Sequence, residues 1–237
     1  MIRFYAPDIE SDGRLPEVES SHCCRVLRMR EGDRIEVVDG KGNVYRCEIV
    51  ASHPKHTDVE ILARETEILH WNPRITLAVA PTKNMDRIEW MVEKAVEIGV
   101  NRIVFLDCLH SVRRTVKRER VEKIIISAMK QSLKATMPEL DGPVAFDDFV
   151  RSESAPLRYM GYCDPSVERH QFEREYDGIR DVTVLIGPEG DFSPEEVSLA
   201  IKSGFVPVTF GSTRLRTETA AIYSLCAAHT LIAMSGS

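Results

Sequence analysis

Two short stretches hold the side chains best suited to chemistry: Gly187-Pro188-Glu189-Gly190-Asp191-Phe192-Ser193 and Leu215-Arg216-Thr217-Glu218-Thr219-Ala220. The loops carry Glu189, Asp191, Arg214, Arg216 and Glu218 and are uncharged at their glycines. Gly187 and Gly190 let backbone amides approach a ligand with no Cβ in the way. A loop pair of this composition suits a mostly neutral, adenosine-like ligand gripped by backbone groups. The elements that must position it are legible on either side. The run Val182 to Ile186 is apolar and β-rich and stops at Gly187-Pro188, as a buried parallel strand would. A helix restarts with Ser193 as N-cap, Pro194 at the first helical position and Glu196 closing a capping box. The space beyond the carboxyl ends of strands is where open α/β sheets bind ligands.

Other chemistries have little support. No Gly-x-Gly-x-x-Gly follows the first strand of the α/β part, and no Walker loop or serine nucleophile elbow occurs. The six cysteines (23, 24, 47, 108, 163 and 226) are scattered, with no Cys-x-x-Cys and no histidine at ligand spacing, which argues against both a disulfide framework and a metal site. The sequence has 237 residues and 43% apolar content, enough for a core. It contains no run of about 18 apolar residues, and its start is too polar for a signal peptide, so a cytoplasmic location and no membrane partner are expected. A net charge of −6 argues against nucleic acid, but its distribution does not. Between Ser111 and Lys134, eight basic residues, Arg113 and Arg114 among them, face only Glu119 and Glu122. Arg25, Arg28 and Arg30 form a second cluster.

Along the chain, residues 34–38 and 44–50 alternate apolar and polar around the turn Asp39-Gly40-Lys41-Gly42-Asn43, which predicts a hairpin. A third strand, 57–63, follows His53-Pro54-Lys55-His56, and together these predict a small barrel. Ser20 or Ser21 is placed to cap a short helix running through Arg28. The pattern changes near Glu67 to Pro73, so the first unit is set at 1–70 and the second at 73–237. From there, strands at 75–80, 102–107, 157–163, 182–186 and 206–210 alternate with helices at 85–98, 120–134, 195–203 and 217–234. This alternation predicts a mostly parallel sheet with helices on both faces. The last helix is apolar nearly all round, as expected of an oligomer interface or, alternatively, of a wholly internal helix, and its His229 reads as a buried, hydrogen-bonded histidine.

At the two loops the chain resembles the RsmE family of 16S ribosomal RNA uridine-N3 methyltransferases, of the SPOUT class. The resemblance runs nearly end to end. Arg25-Val26-Leu27-Arg28 with Glu31-Gly32-Asp33 is similar to that family's amino-terminal PUA-like RNA-binding barrel, and residues 89–100 and 111–113 are similar to its first α/β segments. Lys130-Gln131-Ser132-Leu133-Lys134 departs from it, since family members often have an acidic residue before the Gln and Gly-Arg after the Ser. The resemblance implies an α/β SPOUT domain with a trefoil knot, S-adenosylmethionine as cofactor, a homodimer, and 16S RNA or the small ribosomal subunit as partner. It implies a cofactor pocket at Leu185, Gly187, Glu189, Gly190, Gly211, Leu215, Arg216, Thr217, Thr219 and Ala220. Methylating N3 of uridine requires its proton to leave. Arg216 is the candidate for stabilising the resulting anion and Glu189 the candidate base, the alternative being an Arg216–Glu218 ion pair that only shapes the loop. Arg25, Arg28, Arg113 and Arg114 are expected on RNA phosphates. A SPOUT enzyme with another RNA target and a non-catalytic RNA-binding assembly factor are the competing readings.

Overall fold

The computed structural model describes residues 2–69 and 71–236; the first expected unit's two end residues, 1 and 70, and the terminal residue 237 lie outside the described residues. The chain divides into two compact units, Met1–Leu69 with Ile126–Met137, and His70–Ile125 with Pro138–Ser237.

The first unit contains β1 (Arg3–Tyr5), α1 (Ile9–Asp12), β2 (Arg14–Leu15), α2 (Glu17–Ser21), a π-helical turn at His22–Val26, β3 (Arg34–Val38), β4 (Asn43–Ala51) and β5 (Thr57–Thr66). Its five-stranded sheet has the order β1-β3-β4-β5-β2, antiparallel except for β1 beside β3. Register shifts between β4 and β5 bend the long hairpin, as bulges do where a sheet curls into a barrel. Alternating residues Ile35, Val37, Tyr45, Cys47, Ile49 and Val59 fill the interior with Phe4 and Leu15. The short helix starts earlier than expected, at Glu17, and ends before Arg28, which holds φ at 57°. Ser20 does not cap it. Its hydroxyl donates to Leu15 O and accepts from the Thr57 amide, which fastens the helix to β5.

The second unit continues with β6 (Ile75–Val79), α3 (Met85–Ile98), β7 (Arg102–Asp107), α4 (Arg118–Gln131, whose last residues group with the first unit), β8 (Glu139–Ala145), α5 (Phe146–Ser152), β9 (Leu157–Gly161), β10 (His170–Gln171), α6 (Phe172–Glu175), β11 (Val182–Ile186), α7 (Pro194–Lys202), β12 (Val206–Thr209) and α8 (Thr217–Ser235). Its seven strands are all parallel, in the order β10-β12-β9-β11-β6-β7-β8. β6 and β11 are central and buried at every residue, which is why they read as β-branched and aliphatic runs, each with one threonine, and not as alternating strands. Ala78, Val104, Met160 and Leu185 on one side of the sheet pack with α5 and α7, while α8 packs on α3, β6 and β11. The expected helix at 120–134 stops at Gln131 because Leu133 turns left-handed at φ 55°. β8 and α5 were not anticipated: β8 carries Asp141, Gly142 and Pro143 at a sheet edge and shows no clean alternation.

Gly178 shows how tightly α8 is seated. Its φ is 71°, and a Cβ there would lie 2.5 Å from Leu231 O on the α8 backbone. Gly178→Ala is therefore expected to cost about 3 kcal/mol, from left-handed strain plus overpacking. Urea unfolding of the variant measures this, and an unchanged midpoint would mean that α8 docks with slack.

Candidate active site

Because the strands of the second unit are parallel, the loops leaving β6, β9, β11 and β12 emerge along one edge. After β9 the chain goes out to the edge strand β10, comes back past β9 to β11 and goes out past β9 again to β12, so the last three of these loops are brought together. They enclose an open cleft of about 1210 Å³, lined by Thr82, Asn84 and Arg87 after β6, Gly161–Pro165 after β9, Gly187–Phe192 after β11, and Phe210–Arg216 after β12. A cavity this size exceeds the roughly 300–1,000 Å³ usual for one small ligand, so it has room for two reactants.

The segment Gly187–Ser193 is the hub, with hydrogen bonds tying the surrounding loops to it. The Lys83 amide donates to Glu189 Oε1 at 2.8 Å. Thr217 Oγ1 donates to Gly187 O at 2.9 Å, joining the start of α8 to the loop. The Cys163 amide donates to Asp191 Oδ2 at 3.1 Å. His110 Nδ1 lies 3.2 Å from Gly190 O and 3.1 Å from Asp191 O, and since both are acceptors this nitrogen must carry the proton. The capping box forms as expected, with Glu196 Oε2 accepting from the Ser193 amide at 2.8 Å and Ser193 Oγ from the Glu196 amide at 3.2 Å. Glu196 Oε1 also takes the Leu109 amide at 2.8 Å, so this buried carboxylate is used on both oxygens.

Asp191 sits at φ 59°, a conformation that Asp tolerates better than most residues. Burial holds its carboxyl above the ordinary value of 3.8, against the opposing pull of the Phe192 and Cys163 amides and Arg214. A raised carboxyl contributes stability below its unfolded value, and that contribution is lost as pH rises through the folded value. Asp191→Asn is thus expected to gain stability relative to the parent as pH rises above about 4, the ordinary aspartate value. Thermal melts across that range test this; a constant difference would contradict it.

The cleft gathers most of the expected residues. Gly187, Glu189, Gly190, Gly211, Leu215, Arg216, Thr217 and Ala220 all line it. Leu185 and Thr219 do not: the Leu185 side chain is wholly buried in the core against α5 and α7, and Thr219 is exposed on the first turn of α8. Arg216 takes the N-cap position of α8, and the Thr217 hydroxyl bonds across to Gly187. The alternative Arg216–Glu218 pair is absent among the described residues; Glu218 is buried and meets Arg87 at 3.4 Å instead. Arg216 stays exposed. Sequence reasoning missed Thr82, Asn84, Arg87 and the turn Cys163-Asp164-Pro165. Asn84 was findable as an N-cap, and its Oδ1 accepts from the Asp86 amide at 3.0 Å.

The four arginines expected on RNA differ in their surroundings. Arg114 pairs with Asp107 at 2.5 Å and also donates to Leu109 O. Arg113 donates to Lys83 O at 3.5 Å, and its buried Nε has no hydrogen-bond partner among the described residues. Arg25 and Arg28 are exposed and make no ion pair among the described residues. No helix among the described residues is long and apolar enough to cross a membrane, and no group of acidic, His or Cys side chains could hold a metal ion.

The second unit is a parallel α/β sheet with an open cleft at its strand ends, carried in one chain with a barrel-like β unit. Residues 70–229 match the RNA methyltransferase domain family and residues 15–62 the RNA methyltransferase PUA domain. The chain belongs to the RNA methyltransferase family. It is 27% identical over 229 residues to ribosomal RNA small subunit methyltransferase E of Synechocystis sp., covering 94% of this chain and 75% of the relative. Among solved structures, it is similar to one titled "probable rRNA-methyltransferase" from Porphyromonas gingivalis, with a TM-score of 0.95, 45% identity and 99% coverage of each chain. It is also similar to ribosomal RNA small subunit methyltransferase E of Neisseria gonorrhoeae bound to S-adenosyl methionine, with a TM-score of 0.81, 29% identity and 98% coverage of each chain.

Proposed function

We propose that this protein transfers a methyl group from S-adenosylmethionine to N3 of a uridine in small-subunit ribosomal RNA, acting in the cytoplasm as a homodimer. The observation that carries the reading is the cleft itself, built from two glycine-bearing loops latched by the Thr217–Gly187 bond. The residues present fit such a donor. Gly211 lines the cleft at φ 102°, and a Cβ there would meet no protein atom within 4 Å, so glycine leaves open a space that a ligand can use. Gly187, Gly190, Leu215, Thr217 and Ala220 would hold the donor chiefly through backbone groups. When bound, the donor supplies a methyl group already activated by its sulfonium charge.

The rest falls to the chain and the RNA. The N3 proton must leave before the nitrogen becomes a nucleophile, and the charge left behind spreads onto the uracil carbonyl oxygens. Arg216, exposed and without a carboxylate partner among the described residues, would face that charge and stabilise it. Glu189 would accept the proton: Oε1 is occupied by the Lys83 amide, and Oε2 makes no hydrogen bond among the described residues. A base inside a helix cannot reach such a cleft, so the target uridine must be unpaired or extruded.

Two further parts of the reading rest on surfaces. α8 leaves Tyr223, Cys226, Thr230 and Met234 uncovered, and α3, packed against it, leaves Trp90 at 47% exposure; a second copy would cover this face. The in-and-out path β9–β11–β12 is where a trefoil knot would lie. Arg25, Arg28, Arg113 and Arg114 would contact RNA phosphates, with Arg25 and Arg28 the more available. Reversing both (R25E with R28E) is expected to weaken RNA binding and lower the salt slope by about two, leaving donor affinity unchanged. Filter binding across a salt series checks this, and an unchanged slope would remove these residues from the interface. The activity is tested by incubating the protein with labelled donor and 16S RNA from cells lacking it, followed by mass spectrometry of the nucleosides. N3-methyluridine is expected; a ribose-methylated nucleoside or no product would overturn the reading.

A further inference from the structure

The first unit sorts its arginines sharply. Arg3 pairs with Glu36 and Glu67, Arg14 with Asp58, Arg34 with Glu48, Arg46 with Glu65 and Arg64 with Glu10. Arg25, Arg28 and Arg30, on the segment that follows α2, make no ion pair among the described residues and are exposed. Arg28 also holds a left-handed φ of 57°, a conformation unfavourable for a side chain of its kind, which argues that its position is specified.

This segment is bound to a second loop. Cys24 Sγ lies 3.1 Å from Ser52 Oγ and 3.4 Å from Thr57 Oγ1, and Ser52 Oγ donates to Met29 O at 3.1 Å. The loop so held is the turn His53-Pro54-Lys55-His56 between β4 and β5. It is stiff: the His56 amide donates to His53 O at 3.1 Å across Pro54, the arrangement proline favours at the second position of a turn. The Lys55 amide donates to His53 Nδ1 at 3.2 Å, which directs the imidazole proton to Nε2. The two imidazoles stack, with centroids 4.3 Å apart and planes 19° apart, and both are exposed with Lys55 between them. Nearby carboxylates are largely engaged, Asp58 by Arg14 and Asp33 by the Arg30 amide, leaving Glu31 exposed.

We propose that the His53–His56 turn is a stacking platform for an unpaired base of the ribosomal RNA, with Lys55, Arg25, Arg28 and Arg30 holding the phosphates beside it. This rests on RNA being the substrate and adds the surface that seats it. A rigid aromatic pair flanked by cations is what single-stranded RNA recognition uses: π-faces for bases, charge for the backbone, with no demand on sequence. The alternative occupant, a ribosomal protein, is less favoured, since cations and flat rings dominate the patch and its exposed apolar side chains are two small valines, Val26 and Val50.

The test uses the full chain and unmodified 16S ribosomal RNA made by transcription. H53A/H56A is expected to weaken RNA binding about tenfold, while H53F/H56F, which keeps the rings, restores most of the affinity. Lys55→Glu is expected to lower the salt slope by about one. All variants should bind S-adenosylmethionine and melt as the parent does. If H53A/H56A binds 16S RNA like the parent while R25E/R28E does not, the platform is wrong and RNA as substrate survives. If both bind like the parent, the RNA-facing role of the unit fails as well. Loss of affinity for assembled small subunits but not for naked RNA would assign the turn to a ribosomal protein and overturn the proposal.

Discussion

Arg216→Ala is expected to lower the rate of methyl transfer by about 10²- to 10³-fold, the usual cost of removing one preorganised group that faces developing charge, with donor affinity little changed. The side chain is exposed at the cleft wall and makes no ion pair among the described residues, so its removal leaves no buried partner stranded. Uracil N3 becomes nucleophilic only as an anion, and a guanidinium keeps its charge at any working pH. Glu189→Gln is the companion experiment. It preserves an acceptor for the Lys83 amide and removes only the ability to take a proton, so its effect belongs to chemistry. Single-turnover rates beside calorimetric donor affinities separate the two roles. A variant that loses donor binding and keeps its rate once saturated would move either residue from catalysis to binding.

Thr217→Val carries the second large expectation. The side chain is nearly isosteric, yet it cannot donate to Gly187 O, which would be left buried and unpaired. An unsatisfied buried carbonyl costs about 1–3 kcal/mol, and where this is felt as a loosened loop the donor affinity falls by about tenfold. Thr217→Ser keeps the hydroxyl and is expected to restore it. Titration calorimetry with S-adenosylmethionine measures both variants. A lower melting temperature with parental donor affinity would confine the bond to stability.

The strands were legible in the sequence where burial is complete and the elements are regular. β6, β7 and β11 show it in short, mostly β-branched and aliphatic runs, and α3 in its apolar spacing from Ile88 to Ala95. The cap at Ser193 was legible because its geometry is local, within four residues. What stayed hidden depends on partners distant in sequence. β8 lies at a sheet edge with Gly142 and Pro143 inside it, so no period marks it. Ser20 looked like a cap until the Thr57 amide, 37 residues away, claimed its oxygen. The site divides the same way. The two loops announced themselves by glycine and charge, whereas Arg87, Cys163 and His110 join them only because parallel strands end along one edge. Glu218 showed its charge in the sequence but not its partner, Arg87, which lies 131 residues away.

The most direct measurement is a crystal structure of the protein with S-adenosylmethionine bound. The account predicts the donor lodged between Gly187–Gly190 and Gly211–Leu215, its methyl group turned towards the part of the cleft that Arg216 and Glu189 face. A donor seated at any other place, or a cleft that stays empty at saturating concentration, would contradict it.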